Sequence, residues 1–145
     1  MNEQELLEHV LKDAGAIQFI KSLHKISQVW DDLVDKDKPV SREQIDGAFR
    51  LALIEIPQNP FYLFFIGKLL PVMESVIYDW QTATVMEQGD ELMTPFILRD
   101  SLAGIIVYCA GLLYGPEWAL NIAPTVRKWV HDEDFTKYVE EHQHA

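Results

Sequence analysis

Apolar residues recur along most of this chain at intervals of three and four positions, the spacing of an α-helix with one buried face. The spacing is clearest in residues 16–35 and 42–56. The apolar positions in these segments are Ile17, Ile20, Leu23, Trp30 and Val34, then Ile45, Ala48, Phe49, Ala52, Leu53 and Ile56. No run of useful length alternates apolar and polar residues as a half-buried strand does. The pattern therefore predicts an all-α protein with six to eight helices.

Polar residues suited to capping mark where several of these helices begin. Asn2 with Glu5, and Ser41 with Gln44, have the three-residue spacing of a capping pair, whose side chains bond free N–H groups of the first turn. Pro71 suits the first turn of a helix, because the N–H that proline lacks would have no partner there. We therefore predict helix starts at these three places.

The predicted helices fall into three groups along the chain. N-terminal helices occupy residues 2–35, with the first of them ending near Gly15, and core helices occupy residues 42–130. A short C-terminal helix follows at about 133–141. Because 145 residues can bury one sizeable core and no segment has the composition of a linker, we predict a single domain over residues 1–145, folded as a compact bundle.

The longest predicted helix, residues 91–114, is apolar on nearly all sides from Leu102 onward, as a helix at the centre of a bundle is. Gly104 and Gly111 lie on one face of it and would let a neighbouring helix approach closely. Its apolar run, residues 101–115, is shorter than the roughly 20 residues that cross a bilayer. We therefore predict a buried central helix in a soluble protein that makes no contact with a membrane.

The charge balance limits the classes of partner. The chain has 23 acidic and 12 basic residues, a net charge of −11, whereas binding to nucleic acid or to anionic lipid requires clustered Lys and Arg. We therefore expect neither as a partner. The N-terminus is acidic, unlike a secretory signal, and the single cysteine, Cys109, lies in an apolar run where a thiol is usually buried. Both features favour a cytoplasmic setting.

Three carboxylates crowd the predicted end of the second helix, at Asp31, Asp32 and Asp35. A helix C-terminus carries partial negative charge, so acids there need a compensating cation. Lys36 and Lys38 supply it in one hypothesis, which makes the cluster a solvated turn without a cofactor. In the other hypothesis a bound Mg²⁺ supplies it, since this ion prefers carboxylate oxygens, and the three aspartates are metal ligands.

The spacing of these acids, Asp-Asp-x-x-Asp, resembles the first aspartate-rich motif of class I isoprenoid synthases. It is also similar to the acidic helix of all-α nucleotide pyrophosphatases. The resemblance implies a Mg²⁺-dependent enzyme that acts on a phosphorylated or diphosphate small molecule. No second aspartate-rich motif follows, because Asp79 and Asp100 are isolated, and no nucleophile with a suitable context is present. We therefore predict no catalytic residues, and the three aspartates are metal ligands in the alternative hypothesis alone.

Four aromatic residues lie close together after Pro57 and Pro60 and before Gly67. They are Phe61, Tyr62, Phe64 and Phe65. A short helix bounded by proline cannot turn four large rings toward one core, so part of this set is expected at the surface. An exposed apolar patch of this kind marks a contact with a protein partner or with a second copy of the chain. The four aromatic residues are therefore predicted as an interaction surface, with a homo-oligomer as one possible outcome.

Several local signatures resemble a family of small all-helical proteins of tailed bacteriophages, whose biochemical activity is uncharacterised. They cover residues 29 to about 135 and are Val29–Asp35, Asp37–Ser41, Ala52–Ile54 with Pro57 and Asn59–Tyr62, and Gly115–Trp118 with Arg127, Trp129 and His131. The resemblance implies an infected bacterial cell or a virion as the setting. Two functions follow: a non-catalytic acidic protein that acts through protein contacts, and, as the alternative, the Mg²⁺-dependent enzyme.

Overall fold

The computed structural model describes residues 1–36, 38–131 and 135–143. Over these residues the backbone is helical apart from short connections, and the described part of the chain contains no strand. The helices are α1 (Glu3–Val10), α2 (Ala14–Asp35), α3 (Arg42–Arg50), α4 (Pro60–Met86), α5 (Met93–Leu98), α6 (Leu102–Tyr114), α7 (Pro116–Val130) and α8 (Phe135–His142). The prediction of an all-α protein with six to eight helices is confirmed.

The chain divides into two compact units, Met1–Leu69 and Leu70–Ala145. The first unit holds α1, α2, α3 and the beginning of α4. The second holds the rest of α4 and helices α5 to α8. The sequence carries 11 acids and 8 bases in the first unit, and 12 acids and 4 bases in the second. Most of the negative charge therefore belongs to the second unit.

The first two helices are separated by a tight turn. Asn2 caps α1 as predicted, since its side-chain oxygen accepts the N–H of Glu5 at 2.8 Å. The first helix ends at Val10, earlier than the predicted end near Gly15. Lys12 adopts a left-handed backbone with φ 61°, and the Asp13 side chain accepts the N–H of Ala16 at 2.8 Å. This second cap starts α2 two residues before Ala16 and places Gly15 inside its first turn.

The core of the first unit is formed by apolar side chains of α1 and α2 with the start of α4. Its most completely buried members are Leu6, Leu7, Val10, Leu11, Phe19, Ile20 and Leu69. Asn59 caps α4, because its side-chain oxygen accepts the N–H of Tyr62 at 2.9 Å. The same side chain donates to the carbonyl of Gly15 at 3.0 Å. Asn59 therefore joins the start of α4 to the first turn of α2.

The third helix begins at the predicted capping box. The Ser41 hydroxyl accepts the N–H of Gln44 at 3.1 Å, and the Gln44 side chain accepts the N–H of Ser41 at 2.8 Å. Beyond Arg50 the helix widens into a π-helical turn, Leu51–Glu55, in which the N–H of Ile56 reaches back five residues to the carbonyl of Leu51 at 2.9 Å. Turns of this type are rare and occur often at functional sites.

The fourth helix passes through Pro71, so the prediction that this proline opens a separate helix is wrong. A proline removes a single backbone hydrogen bond from a helix, and the bonds on either side of it continue here. The helix instead departs from regular geometry at Phe65, where φ is −108° and ψ is 19°.

In the second unit the predicted helix 91–114 is divided into α5 and α6 by a turn at residues 99–101. In this turn the N–H groups of Asp100 and Ser101 bond to carbonyls three residues earlier, each at 3.2 Å. The carbonyl of Arg99 accepts the indole N–H of Trp80 at 3.3 Å, which holds the turn against α4. Six residues of α6 are buried, among them Cys109, and burial raises the pKa of this thiol to about 12.

The sixth and seventh helices pack antiparallel around Gly115, whose φ of 94° favours glycine. A Cβ atom at Gly111 would meet the Cβ of Ala119 at 3.5 Å, and one at Gly104 would meet Nη2 of Arg127 at 3.8 Å. Both glycines of the predicted close approach therefore face α7. The last helix, predicted at about 133–141, is α8, and residues 133 and 134 lie outside the described part of the chain.

Two helical segments are long and apolar enough to cross a membrane, judged by length and composition alone. They are Pro60–Met86 and Met93–Tyr114. In the 18-residue stretch used to judge each segment, 22% and 39% of the stretch is buried inside the fold. Core helices of soluble proteins meet the same criterion. The first segment contains Lys68, Glu74 and Asp79, and the second contains Arg99 and Asp100, whose charges would be costly inside a bilayer.

Candidate functional site

The predicted acidic cluster lies in the last turn of α2. The side chains of Asp31 and Asp32 are half-buried, and that of Asp35 is exposed. The helix ends at Asp35, where the N–H of Lys36 bonds to the carbonyl of Asp32 at 3.0 Å with Lys36 in the left-handed conformation. The last turn contains no basic residue. The three carboxylates are thus at a helix C-terminus, as the sequence predicted.

The hypothesis that this cluster binds a metal ion rests on the spacing of its three aspartates in the sequence. Over residues 1–36 and 38–69, no three acidic or histidine side chains bring ligand atoms within 4.8 Å of one another. Glu55, another acid of the first unit, is exposed on the π-helical turn. Asp31, Asp32 and Asp35 as Mg²⁺ ligands therefore stay a prediction.

The predicted aromatic surface divides into a buried half and an exposed half. Phe61 and Tyr62 are only 5% and 8% exposed, because they pack on Phe19 of α2 with ring centroids 6.0 and 5.7 Å from its ring. These two residues belong to the core of the first unit. Phe65 is half-buried between the rings of Phe61 and Phe64, at centroid distances of 5.1 and 4.7 Å.

Phe64 carries the exposed half of the predicted surface. Its side chain is 80% exposed, and that of the adjacent Leu63 is 53% exposed. The rings of Phe64 and Phe65 meet edge to face, and most of the Phe64 side chain faces solvent. A phenylalanine this exposed is costly in water, because transfer of its ring to an apolar environment is favourable.

The α3 segment carries a second exposed apolar feature. No residue of α3 or of the π-helical turn is buried, and Phe49 and Leu53, four residues apart on one helical face, are 63% and 66% exposed. The sequence pattern predicts that both lie on a buried stripe. Periodicity shows which residues share a helix face, and it does not show whether another element covers that face. We refer to Phe49, Leu53, Leu63 and Phe64 as the exposed apolar set.

A polar centre that sequence analysis did not identify lies in the second unit. Glu87 at the end of α4 has a side chain only 4% exposed, and Arg99 donates from Nε to its Oε2 at 3.0 Å and from Nη2 to its Oε1. Tyr138 of α8 donates its hydroxyl to the same carboxylate, and His142 Nε2 lies 3.3 Å from it. Every partner comes from a distant part of the sequence, so no local motif marks this site.

The environment of Glu87 holds it in the charged form. Burial alone would raise the pKa of this carboxyl, but the hydrogen bonds from Arg99 and Tyr138 and the charge of Arg99 together lower the pKa below its ordinary value of 4.5. Each donor faces the carboxylate from a different element, namely the turn after α5 and helix α8. The arrangement therefore fastens three elements together, and both carboxylate oxygens already accept hydrogen bonds.

In comparisons with protein-family models, curated proteins and solved structures, nothing matches this chain. Its function is therefore inferred from the chemistry of its own residues. Of the features described, the polar centre around Glu87 is satisfied by internal partners. The exposed apolar set leaves four large apolar side chains of the first unit in water.

Proposed function

We propose that this chain is a non-catalytic helical protein that acts through a protein–protein contact, and that the exposed apolar set forms that contact. The observation that carries the proposal is the exposure of these four large side chains, from 53% at Leu63 to 80% at Phe64. Where exposed apolar side chains of a soluble protein form a contiguous patch, the patch marks a binding surface, and we propose that these four form one.

Burial of this set supplies part of the free energy of a specific complex. Full burial of one Leu or Phe side chain contributes about 1.5–3 kcal/mol, so four contribute roughly 6–12 kcal/mol before the costs of association. A micromolar complex requires about 8 kcal/mol after those costs, so contacts around the set must supply the rest. Phe49 and Phe64 supply the aromatic anchors that are enriched at the centres of interfaces.

The net charge of the whole chain, most of it in the second unit, favours encounter with a basic partner over encounter with a second copy. Two copies carry −11 each and repel on encounter, whereas a partner with a positive rim around an apolar cleft is attracted. The setting we propose is a phage-infected bacterial cell or a virion, which rests on the sequence resemblance over residues 29 to 135. In that setting the partner is a virion component or a host factor that the chain modulates.

The experiment is site-specific photo-crosslinking. Benzoylphenylalanine replaces Phe64 in one variant and Gln58, an exposed polar residue of the same unit, in a control variant. We expect one discrete protein to crosslink at position 64 in infected cells or virions and not at position 58. That protein is then purified, and its binding is reconstituted with the unmodified chain.

Three results would overturn the proposal. Equal crosslinking at both positions would remove the special role of the exposed apolar set. Crosslinking of the chain to itself, with a dimer in sedimentation equilibrium that strengthens with salt, would replace the partner by a second copy. Flotation of the chain with vesicles of neutral lipid, lost on Phe64→Ser, would replace it by a membrane.

A further inference from the structure

The second unit contains a groove between α4, α6 and α7 that none of the features above uses. Its volume is about 370 Å³, within the range of small-molecule sites. One part of its lining is apolar and is formed by Pro71, Val72 and Tyr108. The other part carries polar groups, from Asp79, Ser101 and Arg127. This combination of an apolar wall with a few placed polar groups is typical of ligand sites.

Arg127 supplies the positive charge of the groove. Over residues 1–36, 38–131 and 135–143, no carboxylate forms an ion pair with its guanidinium, although the unit is strongly acidic. Gly104 on α6 is its neighbour in the lining, because a Cβ atom there would be 3.8 Å from Nη2. The Arg127 side chain is exposed, so its guanidinium is accessible to a ligand. A guanidinium in this position can bind a carboxylate through two parallel hydrogen bonds.

His131 positions this guanidinium. Nη1 of Arg127 lies 3.5 Å from Nε2 of His131, one turn further along the chain, and Nδ1 of His131 lies 2.7 Å from Oδ2 of Asp100. These distances place His131 between Arg127 and the Asp100 carboxylate, and the Nδ1 contact with Asp100 lacks the geometry of a hydrogen bond. His131 therefore limits where the guanidinium lies, and Asp100 forms no direct ion pair with it.

The remaining polar groups leave capacity for a ligand. Oγ of Ser101 lies 2.9 Å from Oδ2 of Asp79 and 2.8 Å from the carbonyl of Leu98, and its single proton can serve one of the two at a time. Asp79 is half-buried, and its carboxylate repels an anion that lies close to it. A ligand for this groove therefore keeps its anionic end at Arg127 and lays an apolar body along the apolar wall.

We propose that this groove binds a small carboxylate with an apolar body. Its charged end pairs with Arg127, and its body lies on Val72, Val76 and Tyr108. The site is independent of the exposed apolar set, none of whose members lines the groove. If the groove does not bind such a carboxylate, the proposed protein contact is unaffected.

The test compares 3-phenylpropionate with its neutral amide, 3-phenylpropionamide, by chemical-shift changes in NMR spectra of the full chain. We expect millimolar binding of the acid, with shifts around α6 and α7, and at least tenfold weaker binding of the amide. Arg127→Gln should weaken the acid at least tenfold, to the level of the amide. Lys128→Gln, which removes the adjacent exposed cation, should leave both affinities unchanged.

A second variant distinguishes binding inside the groove from a general attraction of the anionic probe to positive charge. Gly104→Leu extends a side chain over the groove, where the first added atom makes only an ordinary contact, and should weaken both probes. Circular dichroism checks that each variant remains folded. Equal binding of acid and amide, an unchanged affinity in Arg127→Gln, or no binding of either probe at tens of millimolar would overturn the proposal.

Discussion

Arg99 and Glu87, twelve residues apart, form a two-point ion pair that is almost removed from water. The Glu87 side chain is 4% exposed and the Arg99 side chain is 18% exposed. Tyr138 adds a third hydrogen bond to the same carboxylate from α8. The pair therefore joins the end of α4, the turn between α5 and α6, and the C-terminal helix.

Arg99→Ala is expected to destabilise the second unit by about 3 kcal/mol, because it leaves the Glu87 carboxylate buried without its main partner. Urea unfolding monitored by circular dichroism measures the change. The matched control is Arg42→Ala, whose pair with Asp46 at 3.7 Å is exposed on both sides and should change stability by less than about 0.5 kcal/mol. Equal losses in the two variants would show that the Glu87 pair contributes no more than a surface contact.

Glu87 also predicts the behaviour of the protein in acid. Its pKa in the fold lies below the unfolded value of 4.5, so its charged form stabilises the fold above pH 4.5. That contribution is lost as the pH falls through the lower, folded pKa. We expect the free energy of unfolding to decline more steeply below pH 4.5 in the wild type than in Glu87→Gln, which should be less stable at neutral pH. Parallel curves for the two proteins would contradict this account.

Asn59→Asp tests the link between α4 and α2. Aspartate caps a helix as well as asparagine, so the bond to the N–H of Tyr62 is retained. The bond to the carbonyl of Gly15 is lost, and a carboxylate oxygen then faces a carbonyl oxygen at a site 8% exposed. We expect a loss of about 1–3 kcal/mol in urea unfolding. Ser41→Asp, at a cap with local bonds alone, is the control and should be nearly neutral.

The acidic cluster yields a prediction that separates the two functions. If Asp31, Asp32 and Asp35 are not metal ligands, millimolar Mg²⁺ leaves the unfolding temperature unchanged in the wild type and in Asp32→Asn. A site filled at a hundred times its dissociation constant would add about 2.7 kcal/mol, a shift of several degrees for a chain of this size. Such a shift in the wild type, absent from Asp32→Asn, would favour the Mg²⁺-dependent enzyme.

Helix type and several helix ends could be predicted from sequence because they depend on neighbouring residues. The Ser41–Gln44 capping box and the turn at Gly115 are local in this sense. The break between α5 and α6 is different, because it depends on Arg99 reaching Glu87 and on Trp80 bonding to the carbonyl of Arg99. These partners are separated in sequence, and the residues of the turn itself carry no glycine or proline to mark it.

The candidate site was predictable in part for a related reason. Aromatic concentration correctly indicated an exposed side chain at Phe64, but it could not show that Phe19 covers Phe61 and Tyr62. The stripe through Phe49 and Leu53 has the period of a buried face, and no element among the described residues buries these two side chains. Sequence patterns specify which side chains share a face, whereas burial depends on what the rest of the fold places against it.

The affinity of the purified partner for defined variants tests the proposed contact most directly. Isothermal titration is carried out with the wild type, with Phe64→Ser and with Gln58→Ser, all confirmed as folded by circular dichroism. We predict that Phe64→Ser raises the dissociation constant by about tenfold to a hundredfold, as loss of a buried aromatic anchor does, and that Gln58→Ser leaves it unchanged. The same dissociation constant in all three proteins would contradict the account.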